Sequence, residues 1–110
     1  MEINIPDIDW NILGTSIREE MKPLGFEISR IILFGSRARR DYHQESDYDI
    51  LILLKHPVQE EDRLAIWDSL YAVELKLGIV MEVVIYSEQR WSELKVLPLH
   101  QNVTREGIIF

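Results

Sequence analysis

The sequence predicts an α/β (α+β) fold in which helices flank a small mixed β-sheet. Three short apolar runs have the length and composition of buried strands, and two longer segments carry apolar residues at helical spacing. The elements follow in the order α-β-β-α-β-α, which is typical of a sheet covered by helices. A chain of 110 residues has room for one domain, so we expect residues 1–110 to form it.

The predicted boundaries follow from residues that start or stop regular structure. The first helix can be capped by Asp7 or Asp9, and it ends before Pro23. Gly35 breaks the first strand, so a short helical turn is expected after it. The predicted elements are a helix at 8–22, a strand at 28–34, a turn at 36–40, a strand at 47–54, a helix at 60–77, a strand at 79–86 and a helix from 88 to about 95.

The longest helix carries a broad apolar stripe that includes Trp67 and Tyr71, which we expect in the core. Gly78 stands where a C-terminal cap belongs. Ser87 is placed to cap the helix that follows the third strand. The apolar end of the chain, residues 108–110, is expected either to pack back as a small strand or helix or to dock a partner.

Composition and charge exclude several classes of function. A net charge of −7 argues against coating nucleic acid directly, because phosphate backbones are held by clustered lysine and arginine, but one nucleotide can still bind through a metal. The absence of cysteine excludes disulfides and Cys-ligated zinc, and it fits a cytoplasmic location. The first ten residues lack basic side chains, which argues against a signal peptide. No apolar stretch approaches the ~20 residues of a membrane span, so no membrane partner is expected.

Three carboxylates at or within the predicted strands define the candidate site. Asp47 and Asp49 open the second strand two residues apart, so their side chains project from the same face. Glu82 lies alone in the apolar third strand, where an uncompensated carboxylate is costly. Carboxylate oxygens are the ligands that Mg²⁺ prefers. We therefore predict a metal site at these residues, with Glu82 as a further ligand or as a general base.

The Gly35-Ser36 turn is the predicted phosphate site. Glycine permits close backbone approach, and a serine that opens a helical turn presents its hydroxyl and amide groups to a phosphate. Arg39 would support the phosphate charge or the loop. Phosphate donors and metal ligands then share one edge of the sheet, which suffices for in-line phosphoryl-type transfer.

Two structural alternatives stay open at this point. Arg37 and Arg39 could neutralise the two aspartates in an ion-pair network that needs no ligand. Glu82 could lie on an exposed edge or pair with a basic residue such as Lys76.

The spacing of these residues also resembles a known signature. Gly35-Ser36-Arg37-Ala38-Arg39, then seven residues, then Asp47-Tyr48-Asp49, is similar to the motif of the DNA-polymerase-β-like nucleotidyltransferase superfamily. Ser46 before the first aspartate and the ending Arg105-Glu106-Gly107 resemble its minimal nucleotidyltransferase (MNT) branch. The resemblance covers essentially the whole chain and implies a nucleotidyltransferase fold.

The resemblance implies roles for individual residues. Arg40 stands where the family usually has glycine, and its side chain would crowd the phosphate site or add a cationic contact. Glu82 stands where the third carboxylate is commonly aspartate. The implied residues are Asp47, Asp49 and Glu82 for catalysis and for two Mg²⁺ ions, and Gly35, Ser36, Arg37 and Arg39 for the nucleotide.

The resemblance further implies a partner and a reaction. Members of this branch are antitoxins that transfer AMP from ATP onto a tyrosine of a HEPN ribonuclease toxin, with which this chain would form a hetero-oligomer. A bulky anionic nucleotide near an RNA-cutting site would repel RNA. Two other functions stay open. One is a binding-only antitoxin whose catalytic site is eroded and which neutralises the toxin by occluding it. The other is transfer to a small molecule such as an antibiotic.

Overall fold

The computed structural model describes residues 8–43 and 46–110, and it contains a four-stranded mixed sheet. The strands are β1 (Ile28–Phe34), β2 (Tyr48–Leu54), β3 (Met81–Ser87) and β4 (Ile108–Ile109). The helices are α1 (Trp10–Met21), α2 (Gly35–Arg39), α3 (Arg63–Leu77), α4 (Glu88–Ser92) and α5 (Pro98–Glu106).

The strands lie in the order β3-β2-β1-β4. β1 runs antiparallel to β2 and to β4, whereas β2 and β3 are parallel because α3 carries the chain back across the sheet between them. Helices pack on both faces of this mixed sheet. The predicted fold class is therefore confirmed.

The first helix is bounded as the sequence predicts. Asp9 caps α1, since its Oδ1 accepts a hydrogen bond from the Asn11 amide at 2.7 Å. A 3₁₀ turn at Lys22–Leu24 follows, and Gly25 ends it with a positive φ of 80°. Asp7, the other predicted cap, lies outside the described residues.

Two hydrophobic clusters lie on opposite faces of the sheet because side chains alternate along β2. One cluster packs beneath α1 and α3, and the other packs beneath α4 and α5. Both faces of the central strand are buried, as its continuous apolar run predicts. On β2, Tyr48, Ile50, Ile52 and Leu54 face the first cluster, and Leu51 and Leu53 face the second.

The prediction that Trp67 and Tyr71 lie in the core is wrong. Their exposed fractions are 43% and 59%, and the buried face of α3 is formed by other residues. Apolar side chains surround this helix, so periodicity alone does not say which side meets the sheet. The buried residues of α3 are Ile66, Leu70 and Val73.

The apolar end of the chain packs back onto the sheet as a short strand. β4 pairs with β1, and the Phe110 amide donates to the Ile31 carbonyl at 2.9 Å. This confirms one of the two outcomes expected for the tail. Within the described ranges, no helix is both long enough and apolar enough to cross a membrane.

Candidate active site

Two of the three predicted carboxylates, Asp49 and Glu82, lie side by side where β1 ends and where β2 and β3 begin. Asp49 on β2 is in register with Glu82 on β3 and with Phe34, the last residue of β1. Because β2 and β3 are parallel neighbours, the two acidic side chains point to the same face of the sheet. Asp47 immediately precedes β2. Two segments that are distant in sequence therefore bring acidic groups to one edge.

The Asp49 carboxyl is electrostatically crowded. Burial raises its pKa to about 6, and a hydrogen bond to Glu82 and the negative charges of Glu82 and Asp47 act in the same direction. Arg39 opposes these effects only in part. The edge therefore carries excess negative charge that a cation would neutralise.

These carboxylates fit Mg²⁺ by their chemistry. Asp49 and Glu82 form a pair of adjacent oxygen donors. The negative charge of Asp47 is close enough to raise the pKa of Asp49. In the described part of the chain, no three His, Asp or Glu side chains are already grouped as ligands of one ion. The roles of Asp47, Asp49 and Glu82 as metal ligands remain predictions.

Gly35 fixes the distance between the α2 turn and the acidic edge. Its φ is 73°, in the left-handed region that favours glycine. A Cβ atom placed here would collide with Oδ2 of Asp49, so no other residue fits without displacing that carboxylate. Ser36 follows directly as the second residue of α2 and is half-buried. The turn thus lies in contact with Asp49, as the predicted phosphate site requires.

Arg37 supports the loop before β2. Its guanidinium is 3% exposed and donates to the Ser46 carbonyl at 3.0 Å and 3.2 Å. It also lies over the rings of Tyr42 and Tyr48, at 4.1 Å and 4.5 Å from their centroids. Arg37 therefore acts on the site through the segment that carries Asp47. Its predicted contact with nucleotide is not supported by this placement.

Arg39 lies on the outer side of the α2 turn. Its guanidinium forms ion pairs with Asp41 and Glu106, both at 3.1 Å, and hydrogen bonds to these two carboxylates raise its pKa. Arg39 is solvent-accessible and near enough to Asp49 to affect its charge. This placement is compatible with the predicted phosphate contact.

Comparison with known proteins decides the family. The family described as Nucleotidyltransferase domain matches residues 15–108. The chain is a nucleotidyltransferase.

One curated relative supports the same class of enzyme. It is the "Putative protein adenylyltransferase MJ0604" of Methanocaldococcus jannaschii, which is 40% identical over 80 residues. The match covers 73% of this nucleotidyltransferase and 75% of the relative.

Solved structures share the fold of this nucleotidyltransferase at lower identity. A chain from a toxin–antitoxin crystal structure with AMP-PNP has a TM-score of 0.60 and 22% identity, and the match covers 86% of this chain and 69% of that chain. A chain from a complex of the tri-AMPylated HEPN toxin of Shewanella oneidensis with MNT antitoxin has a TM-score of 0.56 and 18% identity. That match covers 92% of this chain and 71% of the other.

Arg40 occupies a position whose backbone conformation favours glycine. Arg40 caps α2 in the left-handed region at φ 64°, and its amide donates to the Ser36 carbonyl. Its guanidinium lies 5.9 Å from the centroid of the Trp10 ring. An arginine at this position therefore strains the backbone, while the Arg40 side chain packs toward Trp10 at the start of α1.

Of the alternatives for the acidic residues, the ion-pair network and the pairing of Glu82 with Lys76 are not supported, whereas Glu82 does lie exposed on β3, an edge strand of the sheet. Among the described residues, Arg39 pairs with Asp41 and Glu106, and neither Asp47 nor Asp49 forms an ion pair within 4.0 Å. Lys76 pairs with Glu19 at 3.9 Å instead of with Glu82. The residue beside Asp49 on the neighbouring strand is another carboxylate, Glu82.

Glu106 is the site residue for which sequence reasoning assigned no role. Its Oε1 accepts a hydrogen bond from the Gly35 amide at 3.1 Å and pairs with Arg39. The only sequence signal was its place in the Arg105-Glu106-Gly107 ending. That ending does not indicate that Glu106 lies near Gly35.

A cavity formed by other described residues lies away from this edge. A cavity of about 450 Å³ lies at the opposite end of β3, where Tyr86 and Ser87 contribute to its lining together with Arg63 and Arg90. The paired carboxylates are a better guide to the candidate site than cavity volume is, because phosphoryl-type transfer needs charge neutralisation and positioning.

Proposed function

We propose that this nucleotidyltransferase is the antitoxin of a HEPN toxin–antitoxin pair and transfers AMP from ATP to a tyrosine of the toxin. The observation that carries the proposal is the pairing of Asp49 with Glu82 across β2 and β3, in contact with the Gly35 turn. The adenylyltransferase name of the archaeal relative and the HEPN and AMP-PNP complexes among the fold neighbours support it.

Each part of the site then has a role. Asp47, Asp49 and Glu82 would hold Mg²⁺, which would neutralise phosphate charge and orient the α-phosphate. Gly35 contributes the shape of the turn, since its amide donates to Glu106, and Ser36, the next residue of the turn, would supply its hydroxyl to the phosphate. The exposed Glu82 is accessible to an acceptor hydroxyl.

The reaction joins the tyrosine oxygen to the α-phosphorus of ATP. The bond between the α-phosphorus and the bridging oxygen breaks, and pyrophosphate leaves. The phenol proton passes to a carboxylate of the site or to water. We propose further that residues 1–110 act as one domain in the cytoplasm, in a hetero-oligomer with the toxin.

The test is the mass of the toxin after incubation with this chain, ATP and Mg²⁺. We propose that a HEPN-domain protein is encoded beside the gene for this chain, and that protein is the toxin to use. We expect the toxin to gain one or more AMP units on tyrosine. Asp47→Asn combined with Asp49→Asn should abolish the gain without unfolding the protein, because both substitutions keep side-chain volume. Asp68→Asn on α3 is the matched control and should retain full activity.

Three results would change the proposal. Labelling by the double variant at the rate of the wild type would refute the assigned site. An unmodified but inhibited toxin would favour the binding-only antitoxin. AMP transfer that needs no protein acceptor would favour a small-molecule substrate.

A further inference from the structure

We infer that Glu106 is a positioning residue for nucleotide binding. In this assignment one carboxylate from the C-terminal segment holds both the Gly35 turn and the Arg39 guanidinium in the orientation that receives ATP. The inference rests on the proposed function, because it concerns the same nucleotide site.

The Glu106 carboxylate connects two elements that are far apart in sequence. Oε1 accepts the Gly35 amide at 3.1 Å, and both carboxylate oxygens accept hydrogen bonds from Arg39 Nη1, at 3.1 Å and 3.2 Å. The Glu106 side chain is only 11% exposed. Hydrogen bonds to a charged acceptor in a partly buried place are stronger than neutral surface ones.

Glu106 is itself held firmly by the sheet. The residue after it, Gly107, packs so closely that a Cβ atom there would collide with the Val103 carbonyl and the Ile32 side chain. The Gly107 amide donates to Val103 at 2.8 Å, and β4 then pairs with β1. The end of α5 therefore has a fixed distance to the end of β1, from which the turn begins.

Through these contacts, Glu106 sets the position of the Gly35 turn and of Arg39 relative to Asp49. Gly35 is in contact with Asp49, so displacement of the turn would move it relative to the carboxylate. Arg39, held by Glu106 on one side and by Asp41 on the other, keeps its charge close to Asp49. Loss of the Glu106 carboxylate would release both groups together.

A rival role makes the opposite prediction. The Glu106 carboxylate could compete with a phosphate group for the Gly35 amide and Arg39, and it would then inhibit binding. Removing it would tighten nucleotide binding in that case, whereas removing a positioning residue weakens it.

The experiment measures the affinity of the full chain for AMP-PNP with Mg²⁺ by calorimetry, without any acceptor protein. Glu106→Ala should weaken binding at least about tenfold, and Glu106→Gln, which keeps an acceptor for the Gly35 amide, should stay within about threefold of wild type. Glu60→Ala is the matched control, since it breaks an Arg–Glu ion pair of similar length (3.2 Å to Arg63) at the start of α3.

A second readout separates positioning from general stability. In Glu106→Ala combined with Arg39→Ala, the loss of affinity should be smaller than the product of the two single losses, because the residues act together. Equal or tighter binding by Glu106→Ala, or a glutamine variant as weak as the alanine variant, would overturn the inference.

If the wild type binds AMP-PNP but transfers no AMP to the toxin, the proposed function fails and the inference about nucleotide positioning stands. If Glu106→Ala does not fold, Glu106→Asp takes its place: the shorter side chain withdraws the carboxylate from the Gly35 amide, so binding should weaken at least about tenfold, and binding equal to wild type would overturn the inference.

Discussion

The two faces of the sheet are built from the same strands but serve different purposes. Beneath α1 and α3, alternate residues of β2 form a continuous apolar core that includes Ile50, at 0% exposure. On the opposite face, α4 and α5 cover Leu51 and Leu53, while Asp49 at the start of the strand is only half-buried.

This difference shows how a buried strand can carry a candidate catalytic acid. Adjacent residues of β2 face opposite sides, so Asp49 and Ile50 are neighbours in sequence but lie in different environments. The face beneath α1 and α3 is filled by apolar side chains. The face beneath α4 and α5 carries the acidic pair of Asp49 and Glu82 at the start of β2 and β3. Stability and reactivity should therefore respond separately to substitutions on the two faces.

The largest expected effect is on the site face, at Gly35. Gly35→Ala places a methyl group against Asp49 in a left-handed conformation, so the turn and the carboxylate must separate. Since a displacement of about 1 Å at a reacting centre can cost a hundredfold, we expect at least a ~100-fold loss in kcat/KM for AMP transfer.

Gly78→Ala is the matched control for this substitution. Gly78 has a similar φ of 68°, but in the described part of the chain no atom outside its immediate neighbours lies within 4 Å of the position that the new methyl group would take. It should lose about 1 kcal/mol of unfolding free energy and keep its activity. Equal losses of activity in both variants would show that backbone strain alone, and not contact with Asp49, explains the Gly35 effect.

The next effect is on the core face. Ile50→Ala should lower the free energy of unfolding by about 2–5 kcal/mol, because a fully buried side chain is lost and a cavity remains. Leu64→Ala, at a residue with 72% exposure, should change it by less than about 0.5 kcal/mol. Urea denaturation measures both changes. Similar values for the two variants would mean that the assigned core face is wrong.

The smallest effect is the pH dependence that Asp49 gives to stability. The folded protein holds a proton on Asp49 up to about pH 6, whereas an ordinary aspartate has a pKa of 3.8. Between these values the folded state binds more protons than the unfolded state, so stability falls as pH rises through this window. After allowance for solvent screening of a half-buried group, the loss is on the order of 1 kcal/mol.

Asp49→Asn removes this titration. Without Mg²⁺ at pH 7, the variant should therefore be more stable than the wild type by a similar amount, and its stability should change less between pH 4 and pH 7. Thermal unfolding at several pH values measures the difference. Saturating Mg²⁺ should stabilise the wild type and have little effect on the variant. A variant that is less stable than the wild type at pH 7 would contradict the charge crowding at this edge.

Much of the architecture could be predicted because its signals are local. Asp9, Gly25, Gly78 and Ser87 bound their helices through hydrogen bonds and backbone angles that involve only nearby residues. The continuous apolar runs similarly indicated strands buried on both faces. Trp67 was placed wrongly because α3 is apolar on every side, so its local pattern does not say which side meets the sheet.

The catalytic candidates were partly visible in the sequence. The spacing of Gly35, Asp47 and Asp49 predicted the candidate site at one edge of the sheet, because these residues lie close together in the sequence, at the end of one predicted strand and the start of the next. Glu106 had no such signal, since it reaches the Gly35 amide from 71 residues away.

The sequence alone therefore determined the types and approximate ends of the elements from α1 to α4 and the acidic and glycine positions of the candidate site, because these depend on short-range periodicity and backbone preference; it did not predict α5. Only the tertiary structure decided that Glu82 lies beside Asp49, that Arg37 is buried against two tyrosines and that Glu106 holds the Gly35 turn. Those contacts depend on strand order and on which surfaces pack together, and neither is specified by neighbouring residues in the chain.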